Sequence, residues 1–165
     1  MHMHDIIKYG NGEIVKATSQ LPHEHWDLPN ACGTWSVKNI VAHLAAYELL
    51  LIDSLSTLVD ANATTPTLND LLRLGDAWND DEVDKRKHLT PVDTYLDYTN
   101  NFQQSQEILQ RLPAELATKS GALAWYGEAY DIEDFLVYAF YGHKREHSAQ
   151  IHAFVDVLKR EGVLS

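Results

Sequence analysis

The chain has 165 residues, 45% of them apolar and 22% charged, which is the length and composition of one globular domain able to bury a core without disulfide staples. Its 24 acidic against 13 basic residues give a net charge of −11, which argues against nucleic acid and anionic lipid as partners, since both are bound by clustered Lys and Arg. The single cysteine, Cys32, rules out an intrachain disulfide.

Residues 1–10 lack the apolar h-region of a secretory signal. No apolar run reaches the roughly 18 residues that span a bilayer. The expectation is therefore a cytoplasmic protein with no membrane partner. His2 and His4 are expected at a frayed terminus. No repeat, low-complexity segment or Gly/Ser-rich linker divides the chain, so residues 1–165 read as a single domain.

Four helices follow from apolar periodicity and capping residues. The first is expected from Asp5 to Gln20, with Ile7, Ile14 and Leu21 at heptad spacing. Asn11-Gly12 costs helicity and favours a late start, and Leu21-Pro22 ends the helix. The second begins at Ser36, a good N-cap, and carries the stripe Val37, Ile40, Leu44, Tyr47, Leu51, Leu55 and Leu58 to near Asp60. Residues 61–89 form a long connection with partial helix expected over Leu68–Leu74, and the acidic run Asn79–Asp84 reads as a solvated segment. The third helix starts at Thr90-Pro91 and stops at Leu112-Pro113, with Val92, Leu96, Thr99, Phe102, Gln106 and Leu109 along one face. Trp125-Tyr126 reads as locally extended. The fourth helix starts near Asp131 and carries Ile132, Leu136, Ala139, His143, His147, Gln150, Phe154 and Val157. It has Lys159 and Arg160 in its last turn and Gly162 as the stop. The fold class is all-α: a four-helix bundle in which the long connection between helices 2 and 3 crosses over.

His143 and His147 stand at i and i+4, so their Cα atoms lie about 6 Å apart on one helical face and their imidazoles can converge on one ion. They interrupt a core-facing stripe. His43, between Ile40 and Tyr47, brings a third imidazole inward from helix 2. A buried imidazole without a partner costs on the order of 1–3 kcal/mol, which a shared metal removes. Spacing alone leaves two readings open: a metal site on His43, His143 and His147, and core-edge histidines hydrogen-bonded to carbonyls or carboxylates.

Gln150, one turn past His147, is placed to orient a ligand or water. Glu146 points away from the pair and Glu48 is rotated off the His43 face. Tyr47 and Tyr141 read as packing residues, and His23, His25, His88 and His152 as surface. Cys32 is a poor donor with which to close a structural site.

Gly33-Thr34-Trp35-Ser36-Val37-Lys38-Asn39-Ile40-Val41-Ala42-His43-Leu44 resembles the start of the second helix of the DinB-like superfamily. Tyr141-Gly142-His143-Lys144-Arg145-Glu146-His147-Ser148-Ala149-Gln150-Ile151 resembles its fourth helix. Trp78-Asn79, Arg86 and Leu89-Thr90-Pro91 look like the segment entering its third. The resemblance spans nearly the whole chain. It implies a four-helix bundle, often up-down-down-up, with one divalent transition metal (Zn, Ni or Fe) on His43, His143 and His147, and often a homodimer. It also implies a metal-dependent transferase or hydrolase acting on a small-molecule substrate, with thiol-dependent transfer to an electrophile, or related detoxification, and a low-molecular-weight thiol as co-substrate. The alternative is a non-catalytic metal-binding or ligand-sequestering protein. No protein nucleophile is nominated.

Overall fold

Ser36 heads the most apolar stretch of the chain. Its hydroxyl accepts the Asn39 N–H at 3.1 Å, and the Asn39 side-chain oxygen accepts the Ser36 N–H at 2.9 Å. This reciprocal cap satisfies two backbone donors that a helix start otherwise leaves free, and it fixes where the second helix begins. The computed structural model describes residues 2–165. They form α1 (Met3–Thr18), α2 (Val37–Val59), α3 (Pro66–Leu74), α4 (Trp78–Lys85), α5 (Pro91–Gln110), α6 (Ile132–Leu136), a π-helical segment (Val137–Gly142) and α7 (His143–Arg160), joined by short 3-10 turns. Among the described residues there is no strand, only an isolated bridge between Cys32 and Trp35.

α2 packs along α5, and α1 packs along α7 and the π segment. One apolar cluster joins Ile14, Trp26, Val41, Leu44, Tyr98 and Ile151. A second joins Ile7, Leu51, Leu55, Leu109, Phe135 and Phe140. α3 and α4 cover a smaller one at Ala46, Leu50, Leu68 and Trp78. By length and apolar composition α2 would suffice to cross a membrane, contrary to the reading of the bare sequence. Most of its apolar stretch is buried inside the protein and it carries His43, Glu48 and Asp53, which is the character of a core helix.

Several elements depart from expectation. α1 begins at Met3 and runs through Asn11-Gly12 without a late start. Packing overrides propensity here. The Asn11 side chain accepts the Tyr98 hydroxyl at 2.8 Å, and a Cβ on Gly10 would lie 3.3 Å from the Tyr141 Cα, so α1 and the π segment meet at a glycine. The acidic run Asn79–Asp84 lies within α4, where Glu82 and Val83 are buried. α5 starts at Thr90-Pro91 as predicted but presents a different face. Val92 and Leu96 are half exposed, and the buried side is Thr94, Tyr98, Asn101, Ser105, Ile108 and Leu109. Trp125-Tyr126 is not extended but sits in a turn closed by the Tyr126 N–H on the Leu123 carbonyl.

The cap at Ser36 gives a direct test. Ser36→Ala removes the side-chain acceptor and is expected to lower stability by about 1 kcal/mol in urea denaturation, with an unchanged slope. A loss below a few tenths would mean that the cap does not set the α2 start.

Candidate metal centre

α2 and α7 each turn histidine toward the same point. His43 lies seven residues into α2, flanked on its face by buried Ile40 and by Tyr47. His143 opens α7 directly after the π segment, and His147 follows one turn later. His43 Nε2 stands 2.9 Å from His143 Nε2, and His147 Nε2 stands 2.9 Å from the same atom. The three ligand atoms lie within 4.8 Å of one another, and no other His, Cys, Asp or Glu among the described residues joins them. His43 and His147 are buried and His143 is partly exposed.

Gln150 settles the tautomer of His147. Its side-chain oxygen lies 2.8 Å from Nδ1 and accepts that proton, so the His147 Nε2 carries a lone pair aimed into the cluster. His43 Nδ1 is buried with no partner. His143 Nδ1 leans toward the Ala139 carbonyl without the geometry of a hydrogen bond. Burial and the neighbouring imidazoles push His43 down to about 2, and burial with His147 pushes His143 down to about 3. Burial lowers His147 as well, against the opposing pull of Gln150 and Glu146. All three are therefore neutral at physiological pH, the state in which imidazole ligates a metal. Two such ligands at 2.0–2.1 Å from one ion, at the tetrahedral angle, sit about 3.3 Å apart, so the two 2.9 Å separations lie near the spacing that a shared metal requires.

Aromatic rings wall the cluster. Tyr47 lies 4.7 Å from the His43 ring and 4.3 Å from the His143 ring, and Trp35 lies 5.0 Å from His43. Trp35 is held by its indole N–H on Asp80 of α4 at 3.1 Å. The chain matches the DinB family over residues 2–159.

It belongs to the DinB family. No curated protein and no solved structure matches it. The three histidines that this DinB chain brings together are the three read from its sequence. His2, His4, His23, His25, His88 and His152 stay outside the cluster, as does Cys32. Gln150 takes the orienting position expected of it, Tyr47 packs, and Glu146 faces solvent. The sequence reading missed the partnership of Glu48. That carboxylate is fully buried against Lys144, and the signal lay in Glu48 alone, a charged residue set inside the apolar α2.

The pH response of the metal-chelated protein follows from the lowered histidines. Their folded values lie below the ordinary 6.5, so the unfolded chain binds protons first. The stability they contribute is fully present above about pH 6.5 and is lost as pH falls toward about 3. In urea denaturation at pH 7.5 and 5, wild type is expected to lose more stability than His43→Gln/His143→Gln. An equal loss would contradict burial of neutral imidazoles.

Proposed function

We propose that this DinB-family protein binds one divalent transition metal ion (Zn, Ni or Fe) on His43, His143 and His147 and acts on a small-molecule substrate as a metal-dependent enzyme. The carrying observation is the convergence of three neutral Nε2 atoms with no fourth donor among the described residues, which leaves coordination positions for an exogenous ligand. In the same reading, the four long helices α1, α2, α5 and α7 are the family's four-helix bundle, and residues 60–90 are its crossover.

A divalent ion at this place supplies a lowered pKa to a bound thiol or water. The chain's own residues hold the donors and shape the approach. Gln150 keeps the His147 proton on Nδ1 and so presents Nε2. Tyr47 and Trp35 exclude water from the His43 side. Cys32, the one thiol of the chain, does not stand ready as nucleophile. The Cys32 thiol is pushed up by burial and by the Glu146 charge, against the pull of Gln150, so it rests as the neutral thiol. A reaction using sulfur here therefore draws on a diffusible low-molecular-weight thiol, and thiol-dependent transfer to an electrophile, or related detoxification, is the chemistry this site suits best. A cleft of about 580 Å³, lined by Leu28, Ala31, Phe154, Val157 and Leu158, meets the site at Gln150 and not at the histidines themselves, and its size and apolar walls suit a small organic molecule.

The burial of His43 and His147 favours a second reading, a metal-binding or ligand-sequestering protein without turnover. The net charge of −11 supports the absence of nucleic-acid and anionic-membrane partners. A cytoplasmic homodimer completes the proposal.

Protein purified without a histidine tag is expected to bind one metal ion per chain. His43→Ala/His143→Ala/His147→Ala is expected to lose it, and Gln150→Ala to bind about 10–100-fold more weakly. Stoichiometric metal in the triple variant would refute the ligand assignment. Consumption of an electrophile with one of several low-molecular-weight thiols, abolished by chelation, supports the enzyme; tight metal without turnover leaves the sequestering protein.

A further inference from the structure

The two helices that supply the ligands pack mainly against other partners, α2 along α5 and α7 along α1. Among the described residues, two direct polar links join them. One is the contact of His43 with His143. The other is the Glu48–Lys144 pair, in which the ammonium donates to Glu48 Oε1. Lys144 is the residue after His143, and Glu48 is five residues past His43, about 7.5 Å further along α2. The Lys144 and Glu48 side chains are 1% and 0% exposed, so the pair is sealed from water.

α5 completes its surroundings. Ser105 Oγ donates to Glu48 Oε2 at 2.6 Å, and the Lys144 ammonium lies 4.9 Å from the Phe102 ring and 5.4 Å from the Tyr98 ring. The Tyr98 hydroxyl continues to Asn11 of α1. Side chains from all four long helices thus meet around one buried pair of charges. Desolvating two charges is expensive, and apolar residues of similar volume often hold a core as well or better. What the pair adds over an apolar contact is direction: a charge-assisted hydrogen bond fixes its two ends within a narrow range of distance and angle.

We propose that Glu48 and Lys144 are positioning residues for the metal site, a buried strut between α2 and α7 that sets the separation of His43 from His143 and His147. This rests on the metal reading above. Neither side chain hydrogen-bonds to the cluster, and because the Lys144 charge is felt at His143, the variant that keeps both charges carries the geometric test. The two residues act through the helices that carry the cluster, on the geometry offered to the ion rather than on the stability of the fold.

The test is Co²⁺ titration of metal-free protein at pH 7.5, followed by visible d–d absorption, beside thermal denaturation of the same samples. Glu48→Met/Lys144→Met removes both charges together, and Ser105 keeps an acceptor in the Phe102 carbonyl at 2.8 Å. The double variant is expected to melt at or above the wild-type midpoint, while its Co²⁺ affinity falls about tenfold, the scale of a lost supporting interaction, and its d–d band changes. Lys144→Met alone leaves a buried carboxylate unpaired and is expected to melt well below both. A double variant that folds and binds Co²⁺ with wild-type affinity and spectrum overturns the proposal. Glu48→Asp gives a second arm that keeps both charges and retracts the carboxylate by one methylene. It is expected to melt cooperatively and bind Co²⁺ more weakly, and wild-type affinity there also overturns the strut. Wild-type protein that takes up no Co²⁺ fails the metal reading itself, before any variant is compared, and the strut with it.

Discussion

An imidazole nitrogen offers either one lone pair or one proton, and the centre of this molecule is built on three that face one point. Gln150 takes the Nδ1 proton of His147 and commits its Nε2 to a lone pair. His143 Nε2 then faces two nitrogens at 2.9 Å and can serve only one of them with a proton. Protonating the cluster does not resolve the conflict, because burial and mutual repulsion drive His43 and His143 far below their ordinary range. A single divalent ion could accept all three lone pairs at once. The arrangement is thus poorly satisfied as a hydrogen-bond network and well satisfied as a ligand set.

The rest of the fold holds that arrangement against its own cost. The Ser36–Asn39 cap fixes where α2 begins, and so which way His43 faces. On the other side, His143 emerges from a π-helical segment, a rare widening of the helix that shifts the phase of everything after it and recurs at functional sites. Gly142 closes that segment at a place where a Cβ would lie 3.2 Å from the Val137 carbonyl oxygen, and Gly10 lets α1 lie directly on its Tyr141 backbone. The π segment is a local departure from regular helix geometry, and it directly precedes His143, with both glycines packed at it.

How much of this was legible in the sequence depended on which force dominates at each place. Helix starts at Ser36, Thr90 and Asp131 are local capping chemistry, and all three stand where the residues put them. The histidines were legible because polar rings inside apolar stripes are costly, and the motifs around His43 and His143 matched a family to which the chain belongs. The inner face of α5 was not legible. Val92 and Leu96 look like core residues by period, but the face turned inward carries Thr94, Tyr98, Asn101 and Ser105, and the last three meet polar atoms of other helices: Tyr98 the Asn11 side chain, Asn101 the Ala45 carbonyl and Ser105 Glu48. Such matches exist only once the chain is folded. The same holds for Glu48 and Lys144, which are 96 residues apart. The π segment gives no signal in apolar period, because one extra residue per turn reads as slight irregularity in a stripe.

The most direct measurement of the central claim is an anomalous-scattering map from crystals of metal-loaded protein, collected across the absorption edge of the bound metal. One peak per chain is expected between α2 and α7, about 2.0–2.1 Å from each Nε2 of His43, His143 and His147. A map with no peak there, or a peak held by other residues while the three imidazoles hydrogen-bond among themselves, would contradict it.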